Sequence, residues 1–282
     1  MTPQHVVVTG AAGYIGRHTV TALLDRGARV TAIVRPRSRR QVDARAVVVE
    51  ADVLAPEFDF LSLTGSVDSL IHLAWQDGFR HNAPSHIEML SSHFRFLHAA
   101  ALAGTRRIAA LGTMHEIGYW EGAIDADTPT NPTSLYGIAK DALRRSLFQA
   151  VGDDVTLQWL RSYYIYGDDR NNQSIFTRLL EAADDGKSSF PFTSGKNLFD
   201  FIEIDELARQ IATVALQDEV RGVINLCSGT PVSLGDKVEE FIASRHLGLS
   251  LDYGAFPDRE YDSPGVWGDA SAIRALMDRS HH

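Results

Sequence analysis

A short apolar run, His5-Val6-Val7-Val8, leads into Thr9-Gly10-Ala11-Ala12-Gly13-Tyr14-Ile15-Gly16, and a helical pattern follows. Three glycines spaced three apart between a strand and a helix leave few choices of fold. In a first strand–turn–helix unit, Gly10 allows the tight turn and Gly13 lets backbone approach a pyrophosphate. Gly16 lets the helix pack closely on the strand. The free N–H groups and the dipole at the helix start then favour phosphate charge. The spacing departs from the common G-x-G-x-x-G, so the strand–turn–helix context carries the reading. The alternative is a glycine-rich turn with no ligand.

The rest of the chain keeps the same rhythm. Val30–Val34, Ala46–Val49, Ser69–Leu73, Arg107–Leu111 and Val155–Leu160 read as short buried strands. Helical patterns fall at Tyr14–Arg26, Ile87–Ala103 and Leu135–Ala150. Strands separated by helices are the signature of a parallel sheet covered on both faces. The expected fold class is therefore α/β, a Rossmann-type doubly wound parallel sheet. Residues 1–162 form its dinucleotide domain, with a later segment near 198–226 returning to it. Residues 163–282 supply a smaller, mainly substrate-binding α/β region, with helices at Phe176–Ala183, Ile204–Leu216 and Val238–Ser244 and strands near Phe199–Ile202 and Val223–Leu226.

The end of the second strand distinguishes the two nicotinamide dinucleotides. A carboxylate there hydrogen-bonds a ribose 2′-hydroxyl, whereas an arginine accommodates a 2′-phosphate. Here the strand runs Ile33-Val34-Arg35, and residues 35–45 hold five arginines against one aspartate. A guanidinium grips phosphate bidentately, so NADPH/NADP is the expected cofactor and NAD the second choice. The alternative is a solvated basic loop. Asp52 and Val53, just after the third strand, are placed beside the adenine.

The charge reversal in residues 35–45 is local, since the 282-residue chain has a formal net charge of −9, which argues against a nucleic-acid binder. No apolar run of membrane-spanning length appears, and no secretory segment precedes the first strand. A single cysteine, Cys227, excludes an intramolecular disulfide and fits a reducing cytoplasm. The histidines at 81, 86, 93 and 98 have no metal-ligand spacing. Neither a G-x-S-x-G elbow nor a P-loop is present, which removes serine hydrolases and nucleoside triphosphatases.

The sequence Tyr136-Gly137-Ile138-Ala139-Lys140 places a phenol and an amine one helical turn apart on one face. Tyrosine titrates near pH ~10, and a neighbouring ammonium favours the phenolate, bringing proton exchange into working range. The alternative is an exposed helix pair.

With these residues in order, the chain resembles the extended short-chain dehydrogenases/reductases, in their nucleotide-sugar branch. The resemblance is carried by TGAAGYIG (9–16), DV (52–53), HLAW (72–75), GTMHEIG (112–118), YGIAK (136–140) and FDFIEIDELA (199–208). It covers nearly the whole chain and is stronger through residue 160. It implies that Thr113 hydrogen-bonds the reacting oxygen, that Tyr136 is the acid/base, and that Lys140 activates it and contacts the ribose. It also places Ala74 in the cofactor cleft wall, flanked by Leu73 and Trp75, with Tyr14 and Ile15 in the phosphate turn. His115 and Arg259 are the candidate substrate contacts, Arg259 matching an arginine that reaches the substrate diphosphate.

Several positions depart from the family pattern. Sugar dehydratases follow the Thr with an Asp-Glu pair, where this chain has Met114-His115. Tyr164 stands where Asn is usual, and Phe199 where a phosphate-binding Arg is frequent. Glu116 reads as either structural or a substrate contact. The leading expectation is an NADPH-dependent reductase of a keto-sugar nucleotide of the 4-keto-6-deoxyhexose type. The alternatives are a 4-epimerase with retained NAD, a reductase of a non-sugar carbonyl, and a non-catalytic dinucleotide-binding sensor. The resemblance further implies a homodimer paired through helices such as 84–103 and 134–150.

Overall fold

The computed structural model describes residues 3–36, 38, 42–60, 65–167, 173–258 and 263–280. The first part runs β1 (His5–Thr9), α1 (Tyr14–Asp25), β2 (Arg29–Val34), β3 (Val47–Glu50), β4 (Ser69–His72), α2 (Ser85–Glu88), α3 (Leu90–Leu102), β5 (Arg107–Thr113), β6 (Gly122–Ile124), α4 (Leu135–Ala150) and β7 (Thr156–Ser162). It continues with β8 (Tyr164–Tyr166), α5 (Ile175–Asp184), β9 (Ser189–Pro191), β10 (Leu198–Glu203), α6 (Ile204–Ala215) and β11 (Gly222–Leu226). The last elements are β12 (Pro231–Ser233), α7 (Leu234–Ser244), β13 (Ser250–Asp252), β14 (Gly265–Gly268) and α8 (Ser271–Ser280).

Seven parallel strands form the main sheet in the order β11-β7-β5-β4-β1-β2-β3. Alternate residues of one strand enter different cores: Val6 and Val8 pack with Val20, Leu23, Leu207 and Ile211, whereas Val7 packs with Phe96, Leu97, Leu143 and Leu147. Both faces are therefore covered by helices, which is why the strands read as continuous apolar runs. The edge strand β3 is different, with Val47 and Val48 about half exposed.

A second sheet has the order β12-β10-β14-β6, with β8 joining β10. Of the 198–226 segment, β11 pairs with β7 in the main sheet and α6 packs on α1, whereas β10 belongs to the second sheet. A separate two-stranded pair joins β13 to β9. The helical stretch expected over 87–103 is split at Met89 into α2 and α3.

The strand order reverses beside β1: β2 and β3 lie on one side, and β4, β5, β7 and β11 on the other. Ligands in open α/β sheets bind at such a switch point, beyond the carboxyl ends of the strands. The expected site residues among those described lie at or just beyond the carboxyl ends of β1 to β5, or on α4.

Candidate active site

The turn after β1 is built by contacts that only glycine satisfies. Gly10 has φ +68°, and a Cβ there would lie 2.7 Å from the Ala74 nitrogen. At Gly16 a Cβ would lie 2.2 Å from the Gly10 carbonyl oxygen, so α1 starts directly against the turn. The Ala74 N–H donates to Thr9 Oγ1 at 3.3 Å, tying the ends of β1 and β4 together at the switch point. Gly13 is the cap residue of α1; no side chain caps this helix and none of its first-turn residues is acidic. Its first N–H groups and positive dipole end are thus presented as a diphosphate requires, and the turn fits a dinucleotide. Tyr14 and Ile15 are half-buried in the first turn of α1. The Tyr14 hydroxyl reaches across to Gly167, where a Cβ would lie 3.1 Å from it.

Thr113, Tyr136 and Lys140 come together from two elements. Thr113 is the last residue of β5, buried, with Oγ1 accepting the His115 N–H at 3.2 Å. Ser134 caps α4 by accepting the Gly137 N–H, and the Tyr136 N–H donates to the His81 carbonyl at 2.8 Å. A Cβ at Gly137 would fall 2.4 Å from the His115 carbonyl oxygen, so this glycine permits α4 to approach the turn after Thr113. The Thr113 side chain favours the charged form of the Tyr136 phenol. One helical turn on, the Lys140 amine donates to the Leu111 carbonyl at 2.6 Å. It lies 3.7 Å above the Trp75 ring and 5.9 Å from the centre of the Tyr136 ring.

The electrostatics differ from the expectation that the amine draws the phenol down. Burial opposes both charged forms. It raises Tyr136 to about 12, against a lowering by the Thr113 side chain and a further rise from Glu116. It lowers Lys140 to about 7, with Glu116 pulling the other way. Near neutral pH the phenol is therefore protonated, the form that gives a proton away, while the amine stands close to its own midpoint.

His115 is half-buried beside this trio, 4.4 Å from His81, 6.1 Å from Tyr136 and 6.4 Å from Tyr164 between ring centres. Burial first, then His81, hold its pKa at about 3, so it is a neutral ring. Glu116 resolves as structural: fully buried, it accepts Trp159 Nε1 at 3.0 Å and Arg161 Nε at 3.1 Å, and pairs with Arg144 at 3.3 Å. Tyr164 packs on Phe199 at 4.5 Å, so the two family departures adjoin one another. Arg35 is exposed at the end of β2 and Asp52 is exposed after β3, while Val53 is buried in the core beneath. Leu73, Ala74 and Trp75 are half-buried after β4. Arg37, Arg39, Arg40 and Arg259 lie outside the described residues. Cys227 is buried, and no cluster of metal-ligating side chains occurs among the described residues.

What sequence reading missed is the company Trp75 keeps. Its ring stacks on His93 at 4.3 Å, its Nε1–H donates to His86 Nδ1 at 3.0 Å, and Lys140 lies over it. In the sequence these histidines show only a lack of metal-ligand spacing. Their shared feature is a position near the carboxyl end of β4 or on the helices just after it.

The family model of the NAD dependent epimerase/dehydratase family matches residues 6–227. The chain is 44% identical over 269 residues to dTDP-6-deoxy-L-talose 4-dehydrogenase (NAD(+)) of Aggregatibacter actinomycetemcomitans, covering 94% of this chain and 99% of that one. It is 25% identical over 297 residues to the uncharacterized UDP-glucose epimerase YtcB of Bacillus subtilis, covering 96% and 91%. Among solved structures, MoeE5 in complex with UDP-glucuronic acid and NAD superposes with a TM-score of 0.80 at 25% identity, covering 97% and 92%. A UDP-glucose 4-epimerase at 18% identity shares the fold, with a TM-score of 0.83 and coverage of 96% and 91%. With its glycine turn at the switch point and its Thr-Tyr-Lys trio beyond β5, the chain belongs to the NAD-dependent epimerase/dehydratase family, an extended short-chain dehydrogenase/reductase fold.

Proposed function

We propose that the protein interconverts the 4-keto and 4-hydroxy forms of a nucleotide-diphosphate 6-deoxyhexose and works chiefly as the reductase. The observation that carries this is the convergence of Thr113 at the end of β5 with Tyr136 and Lys140 of α4, in a chain 44% identical to a deoxysugar-nucleotide 4-dehydrogenase. The nicotinamide, when bound, supplies hydride to the carbonyl carbon. Thr113 Oγ1 holds the carbonyl oxygen in line, and the phenol of Tyr136 gives that oxygen its proton. Lys140, near its midpoint, restores the proton to Tyr136. His115, neutral and facing both tyrosines, contacts the sugar ring.

The glycine turn with Gly10, Gly13, Tyr14, Ile15 and Gly16 would hold the diphosphate of the cofactor. Asp52 and Val53 would flank its adenine, and Leu73, Ala74 and Trp75 would line the cleft, with Lys140 and Tyr136 at the nicotinamide end. Arg35 is the support for NADP(H): it is exposed at the position that meets the 2′ substituent, and no carboxylate follows Val34 there. The 4-dehydrogenase relative is named for NAD(+), so both cofactors belong in the test. A homodimer is proposed through α2, α3 and α4, where Ile87, Leu102, Ile138 and Phe148 are exposed.

The test is cofactor oxidation with dTDP-linked 4-keto-6-deoxyhexoses, NADPH and NADH side by side. Stoichiometric 4-hydroxy sugar with faster NADPH consumption is expected. Faster NADH consumption would transfer the assignment to NAD. Epimerisation without net cofactor turnover, by protein carrying bound NAD, would overturn the reductase reading.

A further inference from the structure

Lys140 poses a problem that its hydrogen bond to Leu111 and the charge of Glu116 do not solve. Lys140 is 3% exposed, and its amine donates to a neutral carbonyl, that of Leu111 at 2.6 Å. The acid that influences it, Glu116, is engaged by Trp159, Arg161 and Arg144. The remaining group against the amine is the face of Trp75, 3.7 Å from Nζ to the ring centre. An indole face carries negative potential and is the best of the aromatic rings at holding an ammonium.

The indole is fixed in turn from two sides. Its Nε1–H donates to His86 Nδ1 at 3.0 Å, while His86 Nε2 meets the Arg80 carbonyl at 3.0 Å. A carbonyl only accepts, so His86 carries its proton on Nε2 and keeps Nδ1 free for the indole; the tautomer is set. The ring also lies nearly parallel to His93, 17° between planes at 4.3 Å. His93 is hydrogen-bonded to His72 at 2.9 Å, and His72 to the Thr9 hydroxyl at 2.8 Å, at the last residue before the glycine turn.

We propose that Trp75 is a positioning residue for Lys140, its indole face standing where a counter-ion would stand and keeping the amine charged and aimed into the crevice. His86 and the Thr9–His72–His93 chain hold the indole in that plane. The groups facing Lys140 are Tyr136 on its own helix, Glu116 from the turn after β5, His72 from β4, His93 from α3 and Trp75 itself. Burial keeps both histidines neutral, His93 with a pKa of about 3, so neither competes as a cation near neutrality. The consequence for catalysis rests on the reductase reading above; the effect on the amine does not.

The experiment reads the Lys140 side chain directly. Full-length protein labelled with ¹³C and ¹⁵N at lysine is titrated by NMR without substrate, the Lys140 signal being assigned with Lys140→Met. In Trp75→Leu the Lys140 midpoint is expected to fall by about one pH unit, and in Trp75→Phe by less. Parent protein grown on mono-, di- and trifluorinated tryptophan keeps the ring and weakens its face in steps. There the midpoint should fall with each added fluorine, which covers the case of a leucine variant that does not fold. A midpoint that ignores fluorination overturns the proposal. Failure of every keto-sugar in the turnover assay would leave this result untouched, so the two readings fail separately. Where turnover is found, the alkaline limb of kcat for ketone reduction should shift down by the same amount in Trp75→Phe, a displacement that loss of packing alone does not produce.

Discussion

At the scale of single residues, the site is governed by what burial does to two charges. Lys140 ionises at about 7 in the folded chain against an ordinary 10.5. Between those values the unfolded chain holds a proton that the folded one has released, so stability rises with pH across that window and is level below it. Lys140→Met removes this dependence. Urea unfolding at about pH 6 and about pH 9.5 should find the variant more stable than the parent at the lower value, with the gap narrowing at the higher one. On the proposed reductase reading, Tyr136→Phe removes the proton donor and should cost roughly 10²–10⁴ in the rate of ketone reduction. Cofactor affinity, measured by fluorescence titration, should stay close to that of the parent, and a variant with full turnover would remove Tyr136 from the mechanism. The spacing of Tyr136 and Lys140 was legible in the sequence, because one helical turn is a local fact. The sign of the phenol's shift was not, because burial is a property of everything packed around it. The histidines at 72, 81, 86, 93 and 115 were likewise legible only as scattered residues; β4, β5 and the segments that follow them bring them into ring contacts around Trp75 and Tyr136.

At the scale of elements, the site depends on how closely α4 approaches the turn that follows β5. Gly137 sets that approach, since a Cβ there would fall 2.4 Å from the His115 carbonyl oxygen. Backbone cannot yield as a flexible side chain does, so Gly137→Ala should push α4 from Thr113. The expected outcome is a loss of about 1–3 kcal/mol in stability by denaturant unfolding, with kcat falling more than cofactor affinity. Glu116 holds the same turn from beneath; its removal leaves the buried Arg161 guanidinium without its carboxylate and the Trp159 N–H without its acceptor, while Arg144 keeps Asp141 at 2.6 Å. Glu116→Ala should destabilise by about 3–5 kcal/mol, measured by the same unfolding experiment. The long elements were readable because four or more buried residues show their period, as in β1, β5, β7 and α4. Strands of three residues, such as β6, β8, β9, β12 and β13, are shorter than the alternation that would reveal them. The break at Met89 is equally silent, since the apolar pattern continues through it and Met89 has φ −92° and ψ −4°, at the edge of helical geometry.

At the scale of the whole molecule, the proposed function requires that the second sheet stay registered over the end of the first. The chain passes from β7 to β8 with a single intervening residue, and β8 pairs with β10, so the two sheets are joined by backbone along that line. Asp200 on β10 makes the second joint. Fully buried, its carboxylate accepts the Ser228 N–H at 2.8 Å, the Ser228 hydroxyl at 2.7 Å, the Gly229 N–H at 2.9 Å and the Gly268 N–H at 3.1 Å. Ser228 and Gly229 follow β11 of the main sheet, while Gly268 ends β14 of the second. One side chain thus satisfies backbone donors from both layers. In Asp200→Asn the amide nitrogen would face donors, leaving at least one buried N–H unpaired at a cost of about 1–3 kcal/mol, with loss of the charge-assisted bonds adding to it. The dinucleotide turn lies after β1, whereas Tyr164 and Phe199 belong to the strands that Asp200 anchors. Loosening this joint should therefore raise the KM for the sugar nucleotide while leaving the cofactor Kd nearly unchanged. Steady-state kinetics on Asp200→Asn, paired with cofactor titration, measures both quantities. Equal losses in the two would mean that Asp200 supports the fold as a whole and does not register one sheet over the other.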